Sequence, residues 1–235
     1  MTTLQERLLA VQARMAQACA QAGRAPAAVQ LLAVSKLHPA QAVREALAAG
    51  QSAFGENYVQ EALDKMTALA DLRAAIEWHL IGPLQSNKTR AVAEAFDWVH
   101  SVDRLKIAQR LSDQRPAHLP PLNLCLQVNI SGEASKSGLS PAEVSEIAPA
   151  VAALPRLRLR GLMSIPEPVD DLQAQRAPHR ALRLLQDELN RQGLGLDTLS
   201  MGMSDDLEAA ITEGSTMVRV GTAVFGPRVA PARGA

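Results

Sequence analysis

Lysine is scarce in this chain, occurring only at positions 36, 65, 88, 106 and 136, so each one is worth placing. Lys36 closes the apolar run VQLLAVSK (29–36). An ammonium at such a strand end loses hydration, and desolvation favours the neutral amine, the form that condenses with an aldehyde. The competing reading is a lysine that snorkels to solvent. Far along the chain, MVRVGTAVFG (217–226) sets Arg219 in an apolar strand just ahead of Gly221 and Thr222. The backbone N–H groups of Gly221 and Thr222, with the threonine hydroxyl, suit a phosphate, and Gly221 allows close approach. Ser204 stands immediately before a helix start, a natural anion position. Asp205 and Asp206 beside it would repel a phosphate and otherwise serve as helix caps. Arg219 reads equally well as a buried partner of Glu56 or of another carboxylate.

The elements that must position these groups alternate short apolar runs with longer helical patterns. A helix over 3–22 carries Leu4, Leu8, Val11 and Met15 on one face. Strands are expected at 29–36, 52–56, 77–82, 97–102, 122–130, 157–165, 197–203 and 216–226. Between them lie helices, with Pro39 opening the first, Asp103 capping the fourth and Ser140-Pro141 opening the fifth. Asp205-x-x-Glu208 reads as a capping box for a short helix ending at Gly214. Eight strand-then-helix units predict parallel pairing through right-handed crossovers. An α/β fold, a single (β/α)8 TIM-type barrel with an extra N-terminal helix, is preferred over a doubly wound sheet. The polar and glycine residues follow every strand rather than one switch point. One domain over 1–229 and a frayed tail at 230–235 complete the expected organisation.

Composition removes several classes of function. The 235 residues approach the roughly 250 typical of such barrels. Lys+Arg and Asp+Glu balance at 24 each, so no global field draws the chain to nucleic acid or an anionic membrane. Aromatics are 3%, leaving the core to Ala, Leu, Val and Ile. Cys19 and Cys125 are isolated, which argues against a zinc site or a disulfide scaffold. His38, His100, His118 and His179 have no partners at metal-ligand spacing, and no metal is expected. The charged start MTTLQERLLA and the lack of a long apolar stretch point to the cytoplasm. Near-zero charge and the lack of an apolar stripe point to a monomer. Lys88 and the RLRLR run at 156–160 read as solvated, and Cys125 as a buried core thiol. Lys136, in a Gly/Ser-rich loop, is either solvated or a second phosphate or aldehyde contact.

Eight segments carry a specific resemblance: VSKLHP (34–39), FGENYVQE (54–61), WHLIGPLQSNK (78–88), VHSVD (99–103), LQVNISGEASKSG (126–138), LRGLMSIP (159–166), LSMGMSDD (199–206) and GSTMVRVGTAVFG (214–226). In order and spread along nearly the whole chain, they resemble the signature segments of the pyridoxal phosphate homeostasis protein family. That family is similar to the N-terminal barrel of alanine racemase and of the eukaryotic ornithine decarboxylases. The resemblance implies pyridoxal 5'-phosphate as cofactor, with Lys36 carrying it as a Schiff base. It implies Ser204, Gly221 and Thr222 around the phosphate, with Ser200 helping. It also implies Arg219 facing the pyridine nitrogen and Asn57, His79 and Met163 lining the pocket.

A guanidinium donates to the pyridine nitrogen and opposes its protonation, so the ring is a poor electron sink. Racemases of similar design add a tyrosine base from a separate β domain, for which 235 residues are too few. The single tyrosine, Tyr58, reads as a helix-start residue on the barrel rim. The expectation is therefore a carrier that buffers or delivers the cofactor, with transient contacts to apo-enzymes that use it. A small single-domain amino-acid racemase and a cofactor-free Schiff-base lyase or aldolase are the alternatives.

Overall fold

Eight short strands close into a barrel in chain order, each paired in parallel with its predecessor and the last with the first. The computed structural model describes residues 2–132 and 137–227. Lys136 and the expected tail at 230–235 lie outside the described residues. The strands are β1 Gln30–Val34, β2 Ala53–Glu56, β3 Glu77–Leu80, β4 Trp98–Val102, β5 Leu122–Gln127, β6 Leu157–Met163, β7 Thr198–Ser200 and β8 Met217–Val220. The expected TIM-type barrel is therefore the observed one. Its strands are shorter than their apolar runs suggested because the carboxyl ends of those runs turn into loops.

Helices follow each strand: α2 Ala40–Ala48, α3 Val59–Ala68, α4 Thr89–Ala95, α5 Leu105–Gln114, α6 Pro141–Ala152, α7 Leu172–Arg191, α8 Leu207–Thr212 and α9 Thr222–Phe225. The extra helix α1, Leu4–Gln21, starts at a capping box in which Thr3 and Glu6 satisfy each other's backbone N–H groups. It buries Leu8, Val11, Met15, Ala18 and Cys19. Arg14 forks onto Glu208 of α8 with both contacts at 2.6 Å, and Arg7 donates to the Val224 carbonyl of α9. The N-terminal helix thus covers the elements that follow the last two strands.

Three local expectations are corrected. The first helical cap position of α5 is Arg104 and no side chain caps it; Asp103 instead lies 3.3 Å from Arg104. There is no capping box at α8, because Asp206 accepts from Met203 N–H and His179 while Glu208 turns to Arg14. The last apolar run is not one strand: β8 stops at Val220, and residues 222–225 coil into α9. Apolar pattern alone does not separate a short buried strand from a short buried helix.

Pleating sorts the side chains. On β1, Leu31 and Ala33 join the large cluster under the helices. Leu32 and Val34 instead meet Ala53, Ile81 and Met217. The same alternation puts Glu77 and His79 on one face of β3, Trp98 and His100 on one face of β4, and Met217 and Arg219 on one face of β8. These are the faces turned into the barrel. The interior mixes these polar side chains with two small apolar groups, that of Leu32 and Val34 and another of Trp98, Cys125 and Met163.

Candidate functional site

Lys36 lies two residues beyond the end of β1, in a turn that is tied on both sides. The Ser35 hydroxyl donates to Glu56 Oε1 at 2.6 Å, and Leu37 N–H donates to Glu61 Oε1 at 2.6 Å. Lys65 joins these anchors: its Nζ lies 2.7 Å from each of Glu56 Oε1, Glu61 Oε1 and the Ser35 carbonyl. Leu37 adopts a φ of 63°, a left-handed conformation that a branched residue holds only when its surroundings impose it. The Lys65 network is that constraint. Sequence reading placed Lys65 in no role; the one local signal is Glu61 four residues before it on α3, while its other partners come from β2 and the end of β1.

The Lys36 side chain lines a cavity of about 400 Å³ at the carboxyl ends of the strands, together with Asn57, Ser204, Arg219, Gly221 and Thr222. Its walls are Val34, His38, Ile81, Ile165 and Met203. Asn57 is held by backbone packing: a Cβ on Gly82 would fall 2.2 Å from the Asn57 carbonyl oxygen. Asn57 Oδ1 is buried and has no hydrogen-bond partner among the described residues. Ser204 follows Gly202, which has a φ of 94° and no room for a Cβ beside Ala210. Gly221 and Thr222 open α9, where the first backbone N–H groups have no acceptor within the helix.

Arg219 is the electrostatic centre of the site. It is 4% exposed, and burial pulls its guanidinium down to about 10, leaving it cationic near neutral pH. Nη1 donates to the Ser200 carbonyl and, at 2.9 Å, to Ser200 Oγ; Nη2 donates to the Ser164 carbonyl at 2.8 Å. Among the described residues no carboxylate lies within ion-pair distance of it. The Glu56 pairing considered from sequence is thus overturned: Glu56 belongs to Lys65. Asp206, which sequence reading set against a phosphate, is drawn away. Burial pushes its carboxyl up, but the hydrogen bonds from His179 and Met203 N–H outweigh that and hold it below the usual range. Asp205 is exposed on the cavity rim.

Three expected pocket residues lie deeper. His79 is fully buried, stacks on Trp98 at 5.3 Å between centroids, and meets His100. Met163 is buried against Trp98 and Cys125, and Ser200 is buried beneath Arg219. None of the three is among the cavity's lining residues. His38, unassigned from sequence, lines the wall and stacks on Phe225 at 5.1 Å. Tyr58 starts α3 on the rim and is 54% exposed. Lys88 is exposed, Arg158 is solvated, and Cys125 is fully buried. No group of three or more His, Cys, Asp or Glu among the described residues is arranged to hold a metal ion. No helix among them is long and apolar enough to cross a membrane.

A closed eight-stranded barrel with a lysine beyond β1 and a buried arginine on β8 defines a barrel of the alanine racemase N-terminal type, and that family matches residues 7–229. Within that class the agreement is closer. The pyridoxal phosphate homeostasis protein of Pseudomonas aeruginosa is 65% identical over 228 residues, covering 97% of each chain. That of Escherichia coli K12 is 55% identical over 229 residues, covering 97% of this chain and 98% of the relative. PipY from Synechococcus elongatus, solved with pyridoxal phosphate bound, is 40% identical with a TM-score of 0.83. It aligns over 95% of this chain and 100% of its own. The chain belongs to the pyridoxal phosphate homeostasis protein family, as its signature segments led us to expect.

Proposed function

We propose that this protein binds pyridoxal 5'-phosphate as a Schiff base on Lys36 and serves cofactor homeostasis by buffering and delivery, without catalytic turnover. One observation carries the reading: a single cavity collects an amine, a buried guanidinium with no carboxylate partner among the described residues, and the backbone donors of Gly221 and Thr222. The residues fit the cofactor's chemistry. The Lys36 amine condenses with the aldehyde and releases water. Ser204, Gly221 and Thr222 accept the phosphate, with Ser200 supporting the site through Arg219. The guanidinium, which cannot accept a proton, donates to the ring nitrogen. Asn57 Oδ1 offers an unused acceptor to the ring substituents, and His79 and Met163 support the pocket from below. The bound cofactor in the structure of PipY supports the assignment.

An arginine at the ring nitrogen favours storage over chemistry, because an unprotonated ring accepts electrons poorly. Tyr58, the chain's single tyrosine, is exposed on the rim and is not among the residues that line the cavity. The protein acts as a cytoplasmic monomer that meets apo-enzymes transiently at the barrel mouth. Exposed apolar side chains there support the contact: Leu37 and Tyr58 follow two lining residues, and Ile165 is itself on the wall. The test is the visible spectrum of the purified protein reconstituted with the cofactor. A yellow Schiff-base band is expected, with complete loss in Lys36→Ala. Reductive trapping that labels Lys65, Lys88, Lys106 or Lys136 and leaves Lys36 unmodified would refute the assignment. Amino-acid racemisation at ordinary enzyme rates, on the order of 1–1000 per second, would refute the carrier role.

A further inference from the structure

The barrel interior holds a chain of polar side chains that the binding of an aldehyde and a phosphate does not require. Arg219 Nη1 donates to Ser200 Oγ at 2.9 Å. Ser200 Oγ lies 2.8 Å from His100 Nδ1, and His100 Nε2 lies 2.9 Å from His79 Nδ1. His79 Nε2 lies 3.2 Å from Glu77 Oε2, a close contact that falls short of an aligned hydrogen bond, and has no hydrogen-bond partner among the described residues. Glu77 is the first residue of β3, at the amino end of the barrel, while Arg219 lines the cavity at the carboxyl end. The links come from β8, β7, β4 and β3 in turn.

The two ends determine the direction of every bond between them. A guanidinium only donates, and an ionised carboxylate only accepts. Glu77 is ionised: its hydrogen-bonded contact with His79, aided by Trp98 Nε1–H at 2.7 Å, pulls its carboxyl down to about 2. Because Ser200 Oγ already accepts from Arg219, its own proton is free for His100 Nδ1. His100 then carries its proton on Nε2 and donates to His79 Nδ1, and His79 carries its proton on Nε2, turned toward Glu77. Reversing either ring fails. A bare His79 Nε2 would set its lone pair against a carboxylate, and a His100 Nδ1–H would give Ser200 Oγ two donors and strand its hydroxyl proton.

We propose that Ser200, His100 and His79 are positioning residues for Arg219, joined in a one-way hydrogen-bond chain whose last ring faces the Glu77 carboxylate. The chain rests on the reading of Arg219 as the ring nitrogen's partner and explains how that guanidinium is aimed. Three bonds to Ser200 and Ser164 consume part of its five N–H groups and leave the remainder for a ligand. The surroundings of His100 disfavour a charge on that ring. Burial, then the nearby His79 and Arg219, push His100 well below its ordinary range. Around His79, Gln30 of β1 donates to Glu77, and Arg160 of β6 sits 4.8 Å over the Trp98 ring.

The test reads tautomers in protein free of cofactor, by long-range ¹⁵N–¹H correlation on labelled histidines. Both His79 and His100 are expected neutral, with the proton on Nε2. Glu77→Gln offers a donor to His79 Nε2 and should move both rings toward the Nδ1–H form together. An Nδ1–H form in the wild type, or rings that ignore Glu77→Gln, overturns the proposal. In cofactor-loaded protein, Glu77→Gln and Ser200→Ala should each speed release of pyridoxal phosphate about fivefold, the effect of weakening one linked network. Ser200→Ala keeps that arm open should Glu77→Gln fail to fold, and unchanged release overturns the positioning role. Failure of Lys36 to form its visible band would sink the functional reading while leaving the tautomers to be judged alone.

Discussion

Replacing Lys65 with methionine tests how the lysine turn is held. The Lys65 and Glu56 side chains are 6% and 0% exposed, and the ammonium bridges Glu56, Glu61 and the Ser35 carbonyl. Removing one partner of a buried pair leaves a charge without compensation, at a cost of about 3–5 kcal/mol. Lys65→Met should lose that much in urea unfolding at pH 8. Much of the loss should return in Lys65→Met/Glu56→Gln, which removes the stranded charge. The pH dependence has a definite sign. Burial, the largest influence on Glu56, pushes its carboxyl above the ordinary range even with Lys65 present. A carboxyl raised on folding binds more protons folded than unfolded, so its contribution is most favourable at low pH and declines as pH rises through the folded value. Without Lys65 the carboxyl rises further, so the penalty should shrink markedly between pH 8 and pH 5. The same variant should free the Leu37 amide, seen as faster hydrogen exchange. A penalty below about 1 kcal/mol, or one that is equal at pH 5 and pH 8, would refute the reasoning.

Other expectations follow from single contacts. Gly82→Ala puts a Cβ 2.2 Å from backbone at Asn57; it should cost about 3 kcal/mol and weaken cofactor binding, read by denaturation and by visible titration. Asp206→Asn leaves one oxygen where His179 and Met203 N–H use separate ones, and should destabilise by about 1–3 kcal/mol. Because the Asp206 carboxyl is lowered in the folded protein, its contribution is present above the unfolded value and lost as pH falls through the folded one, so wild type and variant should converge in acid. Burial pushes the Cys125 thiol up to about 12, so Ellman's reagent should leave it unreacted in folded protein and modify it in guanidinium.

The barrel was legible because its signal is local. A strand buried on both faces must be apolar, and β1 announces itself that way from Leu31 to Val34. That Lys36, Ser204, Gly221 and Thr222 gather around one cavity was legible because the loops after parallel strands share one end of the barrel, whatever their separation in sequence. Residues 222–225 were misread because a short, mostly apolar run satisfies either a strand or a helical turn. Asp103 and Asp205 looked like caps because cap preference is a property of residue type. In the folded chain those acids lie outside the caps, and neighbouring Asp206 and Glu208 answer to His179 and Arg14.

From its order of residues alone, the chain determines an eightfold alternation, which side chains share a face, and which polar groups follow each strand. Period and steric preference act over a few residues and need no knowledge of the rest. Only closure of the barrel decides that Lys65 braces the Lys36 turn, that Arg219 sits above Ser200 with no carboxylate partner among the described residues, and that His79 meets His100. Those partners are up to 100 residues apart along the chain, as His100 and Ser200 are. Their meeting depends on strand register and on burial, which make an unmatched charge or donor costly enough to select one arrangement.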